Sequence, residues 1–182
     1  MTPVSDFIEL ASGRSMRPLA PEVGDILIMD IARGLSNQCR FSGQTQGHYS
    51  VAQHSVHVSE LLQTWGCSQM IQLWGLMHDA SEAYLVDIPM PLKHAAAFAP
   101  YRDAEARLMK VICHRFALPI AEPERVRVAD GVLLATEARD LMPFRPEHWK
   151  GLKEAPLIEK IVPWTCVTAE HNFITRYARL VA

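Results

Sequence analysis

In "APYRDAEARLMKVICHRFAL" the residues Ala104, Leu108, Ile112 and Phe116 recur every four positions. An α-helical turn takes 3.6 residues, so such a run lines one face of a helix. The same spacing returns along most of the chain. It predicts a helix capped by Ser50 and running to about Trp65, closed by Gly66, with Val51, Val58, Leu61 and Leu62 inward. It predicts a second from about Ser68 to Leu85. A later one runs through "EPERVRVADGVLLATEARDLM", with Val126, Val128, Leu133, Leu134 and Leu141 apolar. A last one runs through "TAEHNFITRYARLVA", with Ile174, Tyr177 and Val181 inward. "DILIMDIARGLSN" opens on an apolar run that reads as a short strand, after which Asp30 reads as a helix N-cap.

Prolines punctuate this pattern. Pro119 and Pro123 break the chain, Pro143 and Pro146 end a helix, and "DIPMPLK" reads as a loop. The stretch to about Gly24, with Pro3, Pro18 and Pro21, reads as irregular, and so does the polar "CRFSGQTQGHYS". Strand signals are few. The expected class is all-α, with five or six main helices in a compact irregular bundle.

A chain of 182 residues, 49% hydrophobic and 21% charged, suits one domain over 1–182 with a sizeable core. Its formal net charge of −2 gives no electrostatic case for coating a nucleic-acid polymer or an anionic membrane. A small anionic substrate is still compatible, since a local pocket decides its affinity. Cys39, Cys67, Cys113 and Cys166 are scattered without a CxxC pair, which reads as four reduced thiols and not as a structural zinc site. The first residues show no apolar signal region, and no apolar run approaches the about 18–20 residues a bilayer requires. The expected location is the cytoplasm.

One segment resists a purely structural reading. In "LWGLMHDASEAYLVDIPMPLK" the pair His78–Asp79 stands inside an otherwise apolar helix, with Glu82 one turn on. His54 lies on the apolar face of the preceding helix, and Asp130 on a later one. Taken singly, His54 reads as a hydrogen-bonded core histidine and Asp130 as a capping carboxylate. An adjacent buried His–Asp pair is different, because burying both without compensation costs several kcal/mol. A cation in a groove between helices removes that cost. Two neutral imidazoles and two carboxylates cancel the charge of a divalent ion. Four protein ligands plus water and a substrate oxygen favour Co²⁺, Mn²⁺, Fe²⁺ or an expanded Zn²⁺ site.

The order His54, His78–Asp79, Asp130 resembles the H…HD…D signature of the HD-domain metal-dependent phosphohydrolases. "CRFSGQTQGHYSVAQHS", "MHDASEAYLVDIPMPLK" and "ADGVLLATEARDLM" are similar to segments of two subgroups, the bacterial 5′-deoxynucleotidases and the bacteriophage dATP triphosphohydrolases. The likeness spans roughly Asp25 to Met142. It implies an HD-type bundle with His54, His78, Asp79 and Asp130 as metal ligands. It further implies Glu82 as the acid that handles protons around the attacking water, and Asp87 as a second acid near the scissile phosphate. Arg40 and Lys93 match basic residues that hold phosphate oxygens, and Arg127, one turn before Asp130, is in reach of a distal phosphate. Phe41 stands where many relatives carry Trp. In them that aromatic, with a proline matching Pro91, packs against the sugar and excludes a 2′-hydroxyl.

The expected activity is therefore metal-dependent hydrolysis of 2′-deoxynucleotides, first of dATP to deoxynucleoside and triphosphate. The alternative is a 5′-deoxynucleotidase acting on monophosphates, and a third reading is a nucleotide sensor without turnover. The expected cofactor is one divalent ion (Zn, Co or Mn), with Mg as a second, phosphate-bound candidate. A homo-oligomer, dimer or hexamer, is expected by the same likeness. His48, His57, His94, His114, His148 and His171 have no partner spacing and are assigned no role, His94 beside Lys93 being the nearest to an exception.

Overall fold

A computed structural model describes residues 6–143, 149 and 151–182. Pro3, Pro146 and His148 lie outside the described residues. The chain is mostly helical, as its periodicity predicts. Its helices are α1 (Ile28–Asn37), α2 (Val51–Thr64), α3 (Gln69–Met77), α4 (Glu82–Leu85), α5 (Met90–Lys93), α6 (Ala99–Arg115), α7 (Glu124–Leu141) and α8 (Cys166–Val181). Ahead of them, β1 (Ile8–Glu9) and β2 (Ser15–Met16) form a minimal antiparallel hairpin, with Ile8 opposite Met16.

The bundle is organised around α2, which packs against α1, α3, α7 and α8. Ser50 caps it as expected, its hydroxyl accepting from the Gln53 N–H at 3.1 Å, and Gly66 leaves it at φ 70. Val51, Ala52, Val56, Val58, Leu61 and Leu62 are all buried, and each large aliphatic among them contributes about 1.5–3 kcal/mol. Gln53, His54, Ser55 and Ser59 are buried too, so α2 is enclosed nearly all round. Two glycines permit close approach. A Cβ at Gly75 of α3 would lie 2.4 Å from Leu62 Cδ1, and one at Gly34 of α1 would lie 2.8 Å from the Ala83 carbonyl of α4.

Several sequence expectations are corrected. The helix predicted from Ser68 to Leu85 is two helices. α3 stops at Met77, and residues 78–81 form tight turns in which Ala80 N–H bonds Met77 O and Glu82 N–H bonds Asp79 O. Neither Gly nor Pro announces this break. "DIPMPLK" is no plain loop but contains α5, which tolerates Pro91 in its first turn, where a backbone N–H has no helical partner anyway. The predicted strand in "DILIMD" does not form: after a 3-10 turn at Val23–Asp25 only Ile26 and Leu27 are extended, and α1 begins at Ile28. Asp30 is not the N-cap but lies inside the first turn of α1, accepting from Ser12 N–H at 2.9 Å and Ser12 Oγ–H at 2.8 Å. On α8 the buried face is Ala169, Phe173, Arg176 and Leu180. Ile174 and Tyr177 are half-buried and Val181 is exposed. The stripe is rotated because Arg176 is admitted to the interior, where it donates to Ser59 Oγ, Ser59 O, Gln63 Oε1 and Gln72 Oε1.

No helix among the described residues is long and apolar enough to cross a membrane.

Candidate metal centre

His54 on α2 and the turn after α3 face each other. His54 Nε2 lies 3.2 Å from His78 Nε2, His78 Nε2 lies 3.2 Å from Asp79 Oδ2, and His54 Nε2 lies 3.9 Å from Asp79 Oδ2. From α7, Asp130 Oδ1 reaches within 3.1 Å of His54 Nε2. The ligating atoms of His54, His78 and Asp79 form a group that could hold a metal ion. Metal bonds of about 2.0–2.2 Å at ordinary angles separate neighbouring ligand atoms by about 3.0–3.5 Å. The spacings of 3.1 and 3.2 Å fit, and the 3.9 Å between His54 Nε2 and Asp79 Oδ2 is wider.

The tautomers strengthen this. His78 Nδ1 lies 2.8 Å from the Gly75 carbonyl, which only accepts, so Nδ1 carries the hydrogen. His54 Nδ1 lies 2.5 Å from Glu137 Oε1, again an acceptor. Each neutral imidazole therefore turns an Nε2 lone pair toward the other, His54 also facing Asp79 and Asp130 and His78 also facing Asp79. Four acceptors converge; Arg40 Nη1–H donates to Asp79 Oδ2 at 3.3 Å, but the two imidazole lone pairs that face each other at 3.2 Å call for a cation or a proton between them. Burial opposes charging His78, but Asp79 and Asp130 prevail and push it up to about 10. Burial likewise opposes the charge on Asp79, yet His78, His54 and Arg40 hold it far below the usual carboxylate range.

An outer layer fixes this arrangement. Glu137 is fully buried on α7, and its carboxylate accepts from Tyr49 O–H at 2.9 Å and from Arg40 Nε–H at 3.1 Å, besides His54. Burial favours its neutral form, but Arg40 and His54 outweigh this and lower its pKa. Arg40 continues to Asp79, Nη1 to Oδ2 at 3.3 Å. A carboxylate behind a histidine fixes the ring and raises its basicity toward a metal.

A cleft of about 480 Å³ opens on the cluster, lined among others by Trp74, His78, Asp79, Lys93, Arg127 and Asp130. Beside it, Glu82 is buried with Oε2 unpartnered, and its Oε1 lies 3.9 Å from Lys93 Nζ. Burial, joined by the charges of Asp79 and Asp87, pushes its carboxyl up to about 9.

No protein-family model matches the chain. It is 38% identical over 173 residues to a protein of Escherichia coli (strain K12) named "Uncharacterized protein YfdR", covering 94% of this chain and 93% of that one. The chain belongs to the family of YfdR. It is also 38% identical over 143 residues to "Uncharacterized protein RCAP_rcc00048" of Rhodobacter capsulatus, covering 74% of this chain and 72% of that one.

In this member of the YfdR family, the predicted site residues divide. His54, His78, Asp79 and Asp130 come together. Lys93 and Arg127 line the same cleft, although Lys93 Nζ is already 2.5 Å from Glu105 Oε1. Arg40 sits behind Asp79. Asp87 is half-buried, and burial raises its pKa against the pull of Arg40. Phe41 and Pro91 do not line the cleft. Phe41 is in the left-handed region at φ 54, beneath the Arg40 guanidinium and edge-on to Trp149, while Pro91 is exposed on α5. Of the histidines assigned no role, His57 is held by Gln53 at 3.2 Å and stacks near Trp164, and His94 is exposed.

Glu137, Tyr49 and Gln38 were missed. Glu137 had a legible signal, since it follows Asp130 by seven residues, two turns along the same face of α7, and no acid belongs on a buried face without a partner.

Proposed function

We propose that this protein is an HD-type metal-dependent phosphohydrolase of 2′-deoxynucleotides, acting first on dATP to yield deoxyadenosine and triphosphate. The observation that carries this is the convergence of two imidazole lone pairs and two carboxylates from α2, the turn after α3 and α7, with the buried, unpartnered Glu82 Oε2 beside them. When bound, the divalent ion would supply Lewis acidity that lowers the pKa of water and screens phosphoryl charge.

His54, His78, Asp79 and Asp130 would hold it, and the resemblance of their order to the H…HD…D signature supports the reading. In the reaction a bond forms from a water oxygen to the α-phosphorus, and the bond from phosphorus to the 5′-oxygen breaks. The water gives up a proton and the 5′-oxygen gains one. Glu82, ionised once a cation lies near it, would move the proton of the water, its neighbour Asp87 being the second acid. Lys93 and Arg127, at the cleft wall, would stabilise charge on the phosphoryl oxygens. Selection against a 2′-hydroxyl by Phe41 and Pro91 rests on the resemblance alone.

The triphosphate is favoured by Arg127, whose side chain is 60% exposed and whose nearest carboxylate, Glu122, lies 4.0 Å away. A monophosphate is the second reading, favoured by the commitment of Lys93 to Glu105 and of Arg102 to the carbonyls of Lys93 and Ala95. A panel of ribo- and deoxynucleotides, mono- to triphosphate, with Zn²⁺, Co²⁺, Mn²⁺ or Mg²⁺, decides. Release of triphosphate from dATP is the expected result. Phosphate from dAMP selects the second reading, and tight binding without product over hours selects a sensor.

A further inference from the structure

Val86 has φ 72 and ψ 144, a conformation that a β-branched residue rarely adopts. It is exposed, so packing of its own side chain does not impose the strain. The strained residue sits between α4, which carries Glu82, and Asp87. Four hydrogen bonds hold the peptides around it. Val86 N–H donates to Glu82 O at 2.9 Å. Gln38, the residue that ends α1, uses both ends of its side-chain amide. Nε2–H donates to the Glu82 carbonyl at 2.7 Å, and Oε1 accepts from the Asp87 N–H at 3.0 Å. Tyr101 on α6 donates its hydroxyl to the Val86 carbonyl at 2.5 Å. Two elements distant in sequence thus grip both sides of one turn.

Strain of this kind persists where the surroundings over-determine it, and it gathers at functional sites. A four-residue helix such as α4 has no stability of its own. Relaxed to negative φ, Val86 would send the chain on in another direction, and Asp87 would leave Glu82.

We propose that Gln38 is a positioning residue, whose side-chain amide holds the left-handed Val86 turn and thereby presents Glu82 and Asp87 together to the metal cluster. Its catalytic meaning rests on the phosphohydrolase reading, but the clamp itself can be measured without turnover.

The test uses the full chain with Gln38→Met, which keeps length and bulk and removes both hydrogen bonds. Tyr101→Phe is the second variant, a smaller change at a half-buried position that leaves the core intact. Hydrogen exchange of the Asp87 amide is expected to accelerate at least about tenfold in Gln38→Met, with amides of α2 and α7 unchanged. Bound Co²⁺ per chain is expected to stay as in the parent. For the substrate found by the nucleotide panel, kcat is expected to fall about 10- to 100-fold with KM within about twofold, since displacement of a positioned group by 1 Å carries such losses. Tyr101→Phe should move kcat in the same direction by less.

Unchanged exchange at Asp87 in Gln38→Met overturns the clamp. So does a kcat within about twofold of the parent in an active enzyme. If Gln38→Met does not fold, an unaltered kcat and unaltered Val86–Asp87 exchange in Tyr101→Phe overturn it. If the parent hydrolyses no nucleotide, the phosphohydrolase reading fails separately, and the exchange result still judges the clamp.

Discussion

His54 Nδ1 and Glu137 Oε1 lie 2.5 Å apart, and neither side chain is reached by solvent. This contact fixes which imidazole nitrogen is left for a metal. It also joins α2 to α7 at the level of the cluster. Glu137→Gln keeps the shape but removes the charge that faces Arg40 and His54. Metal affinity is expected to fall about 10- to 100-fold, as for loss of an outer partner of a ligating histidine. Breaking a buried charge pair should also cost about 3–5 kcal/mol of stability. Competition with a chelator and thermal unfolding measure the two effects. Unchanged affinity would remove Glu137 from the centre.

Holding the ion and moving the proton are assigned to different side chains. Asp79→Ala should lose bound metal and activity together. Glu82→Ala should keep the metal and lose turnover. Metal analysis of the purified variants checks this, and a metal-free Glu82→Ala protein would contradict the separation.

Glu82 also sets a pH dependence in the metal-free protein. Its folded carboxyl is pushed up to about 9, chiefly by burial, from an ordinary value of 4.5. The unfolded chain therefore loses this proton first as pH rises. Glu82 leaves stability untouched below about pH 4.5 and weakens the fold progressively from there to about pH 9. Glu82→Gln is expected to stabilise the chelator-treated protein, by an amount that grows over this window to the order of a few kcal/mol. Denaturant midpoints against pH for both proteins read the difference. A gain independent of pH would show that Glu82 is ionised in the folded state.

Gly34 lets α1 approach α4. A Cβ there would meet the Ala83 backbone oxygen at 2.8 Å and Ala83 Cβ at 2.9 Å, atoms that cannot rotate away. Gly34→Ala should cost about 1–3 kcal/mol, as overpacking does. It should also disturb Glu82, next to Ala83, more than the four metal ligands. Urea midpoints and bound metal per chain test both parts. Stability unchanged or raised would mean that α4 yields freely.

The helices were legible because their apolar residues recur at helical spacing, and burial of that face dominates their stability. Ser50 and Gly66 marked the ends of α2 because each satisfies a backbone need that few other residues meet. The break after Met77 was not legible. Met77, His78 and Asp79 fit a continuing helix locally, and the chain leaves it through tight turns that no residue type demands. The inner face of α8 was misjudged for a related reason. Arg176 is an outward residue by composition, and only Ser59, Gln63 and Gln72 on α2 and α3 make its burial affordable.

At the site, residue types and order were enough to single out His54, His78, Asp79 and Asp130, because an imidazole and a carboxylate on apolar faces need compensation wherever they are buried. Sequence could not supply the partners. Glu137 behind His54, Gln38 across the Val86 turn and Arg40 behind Asp79 are meetings between residues 39 to 83 positions apart. Such contacts follow from how the helices pack, and packing is a property of all their faces together.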